Sequence, residues 1–319
     1  MHDHDIAFPT ELHRRELLGK AALSVGAGLL LGPLSARSAW ALPVAKLPGF
    51  TAFASTVRVF KSSKYYLVES SGLPAHGMMT GITSWQQQVP TPHPYTGANA
   101  WSIPIKPVLS KTPMSAKNHF LRGAIAIAVN GVPIFNALNN RGDDALLAGE
   151  LDDWGGHCGR ADDYHYHVAP THLQSIVGRG APIAYALDGF PIYGLTETNG
   201  AKVVGLDEFN GHFDSKRKYH YHATNSYPYI NGGFRGVVTE IDGQVDPQAA
   251  TRPFRPAGAP LRGATITDFE RTGDGAYTLR YTLNGQTYTL SYIATLSEVQ
   301  MQFIDPSGQS RNETYRRAS

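Results

Sequence analysis

Six histidines stand at matched positions in two copies of one seventeen-residue block. The first copy is LDDWGGHCGRADDYHYH, Leu151–His167, and the second is LDEFNGHFDSKRKYHYH, Leu206–His222. They align without a gap at an offset of 55, with eight of seventeen positions identical: Leu, Asp, Gly, His and the Tyr-His-Tyr-His run. What survived the drift is mostly side chains that bind metals or form hydrogen bonds. In a strand, alternate residues share a face, so His165 and His167 point one way and Tyr164 and Tyr166 the other. Two imidazoles whose Cα atoms lie roughly 6.5–7 Å apart can converge on one ion at about 2.0–2.1 Å. His157, just after Gly155-Gly156, is placed where a turn brings in a third imidazole. The same reading applies to His212, His220 and His222. Three imidazoles leave a coordination position open, as in catalytic zinc sites, and copper and iron also accept this donor. A divalent or copper ion is therefore the expected cofactor. An isolated His-x-His can equally be two hydrogen-bonded histidines. The repetition, with a third histidine at the same offset, is what favours metal.

Other residue types bear on the site. Asp152 and Asp207 are equivalent and could orient a ligating imidazole by accepting its second N–H. Their alternative role is to cap a turn or helix. Glu150 and Glu208 are acid/base candidates near the histidines, though not at equivalent positions. Cys158 faces Phe213 across the duplication, so it reads as a small buried residue. His76, His93, His119 and His172 have no repeat partner and read as structural. No HExxH, GxSxG or phosphate loop is present. Three functions stay open: a metal-binding protein, a metal-dependent hydrolase or oxidase, and a metal-free aromatic-rich module for glycans.

The elements that must position these residues extend the repeat upstream. Ile125–Phe135 (IAIAVNGVPIF) matches Ile183–Tyr193 (IAYALDGFPIY) at an offset of 58. Each piece reads as strand, Asn-Gly or Asp-Gly turn, strand. The units are therefore set at about 124–170 and 182–228. The expected fold is mainly β, a duplicated β-rich unit with pseudo-twofold symmetry. The two histidine trios are expected to face one another across a shared cleft. Asp143-Asp144 before Ala145-Leu-Leu-Ala148 predicts a short helix within Asp143–Leu151.

The Tyr-His-Tyr-His runs, the Gly-His upstream of each, Asn130-Gly-Val-Pro-Ile-Phe135 and Asp188-Gly-Phe-Pro-Ile-Tyr-Gly194 resemble the YHYH domain family of exported bacterial proteins. Tyr227-Pro-Tyr229 and Phe234-Arg-Gly236 fit as well, so the resemblance runs from about Trp85 to Gly236. It implies grouping and export rather than a particular activity.

The leader agrees with export. Arg14-Arg15 precedes an apolar stretch from Ala21 to Leu34 and an Ala39-Trp40-Ala41 cleavage pattern. Residues 1–41 are thus expected to be a twin-arginine-type signal peptide, with the export machinery as partner and a periplasmic or secreted destination. That route carries folded proteins, which suits a chain loaded with a chosen metal before export. No segment of the mature chain is expected to span a membrane. A net charge of +2 gives no nucleic-acid footprint, and one cysteine forbids an internal disulfide. Leu42 to about Phe120 has strand-like stretches at Val57–Phe60 and Tyr65–Val68, and a Pro-rich segment with Trp85, Tyr95 and Trp101 expected to wrap over the repeats. The expected divisions are a YHYH domain over 42–245, a linker or covering arm over 246–263 and a C-terminal β-hairpin region over 264–319. In the last, a two-residue Asn284-Gly285 loop pairs Leu283 with Gln286, Tyr281 with Tyr288, Leu279 with Leu290 and Tyr277 with Tyr292.

Overall fold

Short apolar runs broken by Gly, Pro and Asn-Gly steps build a mainly β structure. The computed structural model describes residues 45–317, and the expected signal peptide lies outside them. Leu42–Ser319 groups as one unit. Among the described residues no helix is long and apolar enough to cross a membrane. The first strands are β1 (Arg58–Lys61), β2 (Tyr65–Glu69), β3 (Trp101–Pro104) and β4 (Leu109–Ser115). The first repeat unit supplies β5 (Ala124–Ala128), β6 (Pro133–Phe135), β7 (Gly156–Cys158) and β8 (Tyr164–Tyr166). The second supplies β9 (Ala184–Ala186), β10 (Pro191–Tyr193), β11 (Gly211–Phe213) and β12 (Tyr219–His222). Then come β13 (Gly233–Gly236), β14 (Thr239–Ile241), β15 (Gln244–Asp246), β16 (Thr265–Gly273), β17 (Ala276–Leu283), β18 (Gln286–Ala294), β19 (Glu298–Ile304) and β20 (Ser310–Arg316).

The eight repeat strands form one sheet in the order β11-β12-β10-β9-β5-β6-β8-β7. Replacing each strand by its repeat partner gives the same order read from the other end. The centre is the antiparallel pair β5–β9, in which Ala126 faces Ala186, Ile127 faces Tyr185 and Ala128 faces Ala184. Ile127 and Tyr185 are equivalent at offset 58, so the register is also unchanged when the units are exchanged. Every residue of β5 and β9 is buried, so these strands read as continuous apolar runs with both faces covered. Each inner hairpin pairs in parallel with its Tyr-His-Tyr-His strand, β6 with β8 and β10 with β12. The Gly-His strands then close the two edges antiparallel.

The C-terminal hairpin has the expected register, from Leu283↔Gln286 through Tyr277↔Tyr292. Asn284 and Gly285 both have positive φ, as a two-residue hairpin loop of this twist requires. The hairpin is the middle of a five-stranded meander, β16 to β20. Its buried face, with Leu279, Leu290, Tyr277 and Tyr292, is covered by the segment around 79–95. Tyr292 donates to the Pro90 carbonyl, Gly81 and Ile82 exchange backbone bonds with Ile266, and Trp85 packs on Tyr281. Within the Pro-rich segment Trp85, Tyr95 and Trp101 are all buried, and Trp101 opens strand β3 rather than a loop. The 246–263 stretch lies across the first unit: Gln248 bonds Ala124, and Arg255 forks onto Asp162 at 2.8 and 3.0 Å.

The short helix expected within Asp143–Leu151 is absent. Asp144 Oδ1 caps Leu146 and Leu147, Ala148 N–H reaches the Asp144 carbonyl, and one turn ends there. Gly149 adopts a positive φ, and its carbonyl accepts from Thr83 and Ser84, which pulls the chain out of a helical path.

Candidate metal centres

The two Tyr-His-Tyr-His strands do what alternation requires. Cross-strand pairing sets His157 opposite His165 and His212 opposite His220, so the third histidine arrives from a paired strand rather than a free turn. In the first unit His157 Nε2 lies 3.0 Å from His167 Nε2, which lies 3.1 Å from His165 Nε2. In the second, His212 Nε2 is 3.0 Å from His220 Nε2, which is 3.1 Å from His222 Nε2. Donors about 2.0–2.1 Å from a common centre have this separation when they subtend roughly 95°.

Backbone carbonyls orient the rings. His165 Nδ1 faces the Asp163 carbonyl at 2.9 Å and His167 Nδ1 the Asn136 carbonyl. His222 Nδ1 faces the Gly194 carbonyl at 2.9 Å and His212 Nδ1 the Val204 carbonyl at 3.0 Å. Asn136 and Gly194 are equivalent positions at offset 58. A carbonyl can only accept, so it fixes the proton on Nδ1 and leaves the Nε2 lone pair aimed at the common centre. Burial reinforces this. Desolvation, then the neighbouring histidines, push His157 well below its ordinary value and His167 down to about 3, so both rings are neutral and ligand-competent. His220 and His222 are lowered as well, again chiefly by desolvation.

The tyrosines of the motif point to the other face and tie the site to the sheet. Tyr164 donates to Asp152 Oδ2 at 2.8 Å, and Tyr219 donates to Asp207 Oδ2 at 2.8 Å. A Cβ at Gly156 would sit 2.6 Å from the Tyr164 hydroxyl, and one at Gly211 would strike Tyr219, which is why glycine precedes histidine in both copies. Tyr166 is bonded by Asn130 Nδ2 at 2.9 Å, and Tyr221 donates to Asp188 Oδ2 at 2.5 Å. The Asn-Gly and Asp-Gly turns of the inner hairpins thus brace the histidine strands.

Asp152 and Asp207 do not take the expected place behind an imidazole. Asp152 accepts from Trp154, Gly156 and Met79 N–H groups besides Tyr164. Asp207 accepts from Phe209 and Gly211. Both close the turn that launches the Gly-His strand, and carbonyls take the orienting role.

Nor do the trios face one another. Inner hairpins occupy the middle of the sheet, so the histidine strands are forced to its two flanks. β8 and β12 stand five strand spacings apart, about 24 Å along the sheet. Two separate clusters result: His157, His165 and His167, and His212, His220 and His222 joined by Glu197.

Glu197 is the residue that sequence reasoning missed. Its Oε1 lies 3.2 Å from His212 Nε2, and its Oε2 lies 3.6 Å from His222 Nε2 and 3.9 Å from His220 Nε2. Parallel pairing of β10 with β12 sets Tyr193 beside His222, so the loop after Tyr193 must pass the site. No residue-type match marks Glu197, because offset 58 aligns it with Asn139.

The first trio lines a cleft of about 480 Å³, with Asn139, Arg141, Glu150 and Arg160 also on its wall. Glu150 is buried and ion-paired with Arg141, whereas Glu208 is exposed. Cys158 is buried against Met79 Sδ at 3.5 Å and is no ligand. His76 and His172 pack with Trp154 on the tyrosine side, His119 pairs with Glu240 at 2.7 Å, and His93 is buried beside Tyr95.

Residues 100–202 match the family model described as YHYH protein. The resemblance drawn from the motifs is therefore shown over that stretch. The matched stretch holds the first trio, Asn139 and Glu197, while His212, His220 and His222 lie beyond it. No curated protein and no solved structure matches the chain.

Proposed function

We propose that this chain is an exported, periplasmic or secreted metal-binding protein with two separate histidine centres, each suited to copper or zinc. One observation carries the reading. In each unit three Nε2 lone pairs converge within metal-ligand spacing while backbone carbonyls hold Nδ1 protons on the far side of the rings. Buried neutral imidazoles packed as core would pair a donor with an acceptor. Three acceptors turned on one point repel unless a cation lies between them. The export part rests on the Arg14-Arg15 leader and its Ala39-Trp40-Ala41 pattern, with the twin-arginine machinery as partner.

Metal analysis of the purified protein tests the first part. The expected result is two equivalents of copper or zinc per chain, and metal-free protein that refuses both ions overturns it. The metal-free glycan-binding reading would then stand. For export, an Arg14→Lys, Arg15→Lys variant should stay in the cytoplasm. Normal export of that variant contradicts the twin-arginine route.

A second reading is favoured by Glu150 on the wall of the first cleft. A metal there would make bound water acidic enough to act as a nucleophile near neutral pH, with Glu150 as the proton acceptor. Loss of a hydrolytic activity in Glu150→Gln with metal content intact would support it.

A further inference from the structure

We propose that the two centres differ in coordination: Glu197 closes the second, whereas the first keeps an open position that takes an oxyanion from its cleft. This rests on the metal-binding reading above.

The difference traces to one pair of equivalent positions. Asn139 and Glu197 are related by offset 58, and the backbone confirms it. Leu138 bridges Asp144 where Thr196 bridges Lys202. Asn139 N–H reaches the Asp143 carbonyl at 2.8 Å, and Glu197 N–H reaches the Ala201 carbonyl at 2.9 Å. From the same backbone position the two side chains do different things. Glu197 lays its carboxylate against the second trio. Asn139 turns back into its own loop: Oδ1 accepts from Arg141 N–H at 2.9 Å and Asp143 N–H at 3.1 Å, and Nδ2 donates to Glu150 at 3.2 Å. The first trio consequently has no fourth protein ligand among the described residues.

Charge gives the ligand class. Three neutral imidazoles leave a divalent ion with its full charge, and Glu197 removes one unit of it in the second centre only. Four protein ligands are the pattern of a structural zinc site, and three plus an exogenous ligand the pattern of a reactive one. The first centre also has room. Its three histidines line the cleft of about 480 Å³, within the range of small-molecule sites, and none of the second trio lines it. Arg122, Arg141 and Arg160 stand on the wall against the carboxylates Glu150 and Asp163. Glu150 is neutralised by Arg141, and Asp163 is buried 3.5 Å from His165 Nδ1. Arg122 and Arg160 are exposed and face the cleft. An anion bearing a carboxylate or phosphate group would bind the metal through one oxygen and lie along these arginines.

The test uses the full mature chain loaded with Co2+, whose visible absorption reports its ligands. The protein is titrated in separate arms with acetate and with inorganic phosphate, and the stronger arm identifies the oxyanion. The wild type should hold two Co2+ and show a saturable change at one of them. Asn139→Glu should keep both metals and lose the response. Glu197→Gln should respond at both centres, and it carries the test if Asn139→Glu folds poorly. Two bound metals with no anion response in the wild type, or a Glu197→Gln response equal to wild type, overturns the proposal and leaves the metal reading intact. Absence of bound Co2+ overturns both.

Discussion

The two repeat units share a backbone and have diverged around it. Gly155 and Asn210 are equivalent and both take positive φ, as do Asp162 and Arg217. The two copies thus keep one chain path with different residue types at these turns. Asp162 is an anchor, fixed by Arg255 and by the backbone of Val89 and Thr91, whereas Arg217 is exposed. The first unit is wrapped by the segments around 79–95 and 246–263, and its trio looks into a cleft. Among the described residues the second unit has no such anchor at the equivalent turn, and its trio is covered by Glu197. Duplication preserved the donor sets while their surroundings specialised.

The largest expected effect comes from the metals. Removing a metal bound a thousandfold more tightly than its free concentration requires costs about 4 kcal/mol of stability. A chelator should therefore lower the melting temperature sharply. His165→Ala should abolish only the first centre's share of that loss, and His220→Ala only the second's, as calorimetry with and without metal would show. Equal loss of both shares in either variant would break the separation of the centres.

Next come the turn aspartates. Asp152→Ala strands the Met79 and Gly156 N–H groups and the Tyr164 hydroxyl in a buried setting, and should cost about 3 kcal/mol in denaturant unfolding. Asp207 is itself exposed and holds one N–H group fewer, those of Phe209 and Gly211 with the Tyr219 hydroxyl, so Asp207→Ala should cost less, about 2 kcal/mol. Equal costs would mean that the wrapping of the first unit adds nothing.

A smaller effect is set by pH. In the metal-free fold His157 and His167 are neutral because burial lowers them, His167 to about 3, while in the unfolded chain they take protons near 6.5. Above about pH 6.5 they impose no penalty. Below it the unfolded chain binds more protons, so stability falls as pH drops toward the His167 value of about 3. His167→Gln should flatten this slope in urea titrations of metal-free protein, and an unchanged slope would show that other groups set it.

The sequence disclosed what period and turn chemistry determine. Alternation alone placed His165 with His167 and Tyr164 with Tyr166, and Asn284-Gly285 fixed the register from Leu283 to Tyr277. What it withheld depends on pairing between distant strands. The flanking positions of the trios follow from β5 pairing with β9, which nothing in either block encodes. Glu197 enters its site only because β10 runs parallel to β12. The Asp143–Leu151 helix failed because Gly149 is recruited by Thr83 and Ser84, a contact with a segment some sixty residues earlier.

The central claim, two independent histidine metal centres, is tested most directly by metal content. The wild type, His165→Ala, His220→Ala and the double variant should be purified, loaded with zinc or copper and assayed by elemental analysis. The account predicts two, one, one and no metals per chain. A metal-free wild type, or loss of both metals in a single variant, would contradict it.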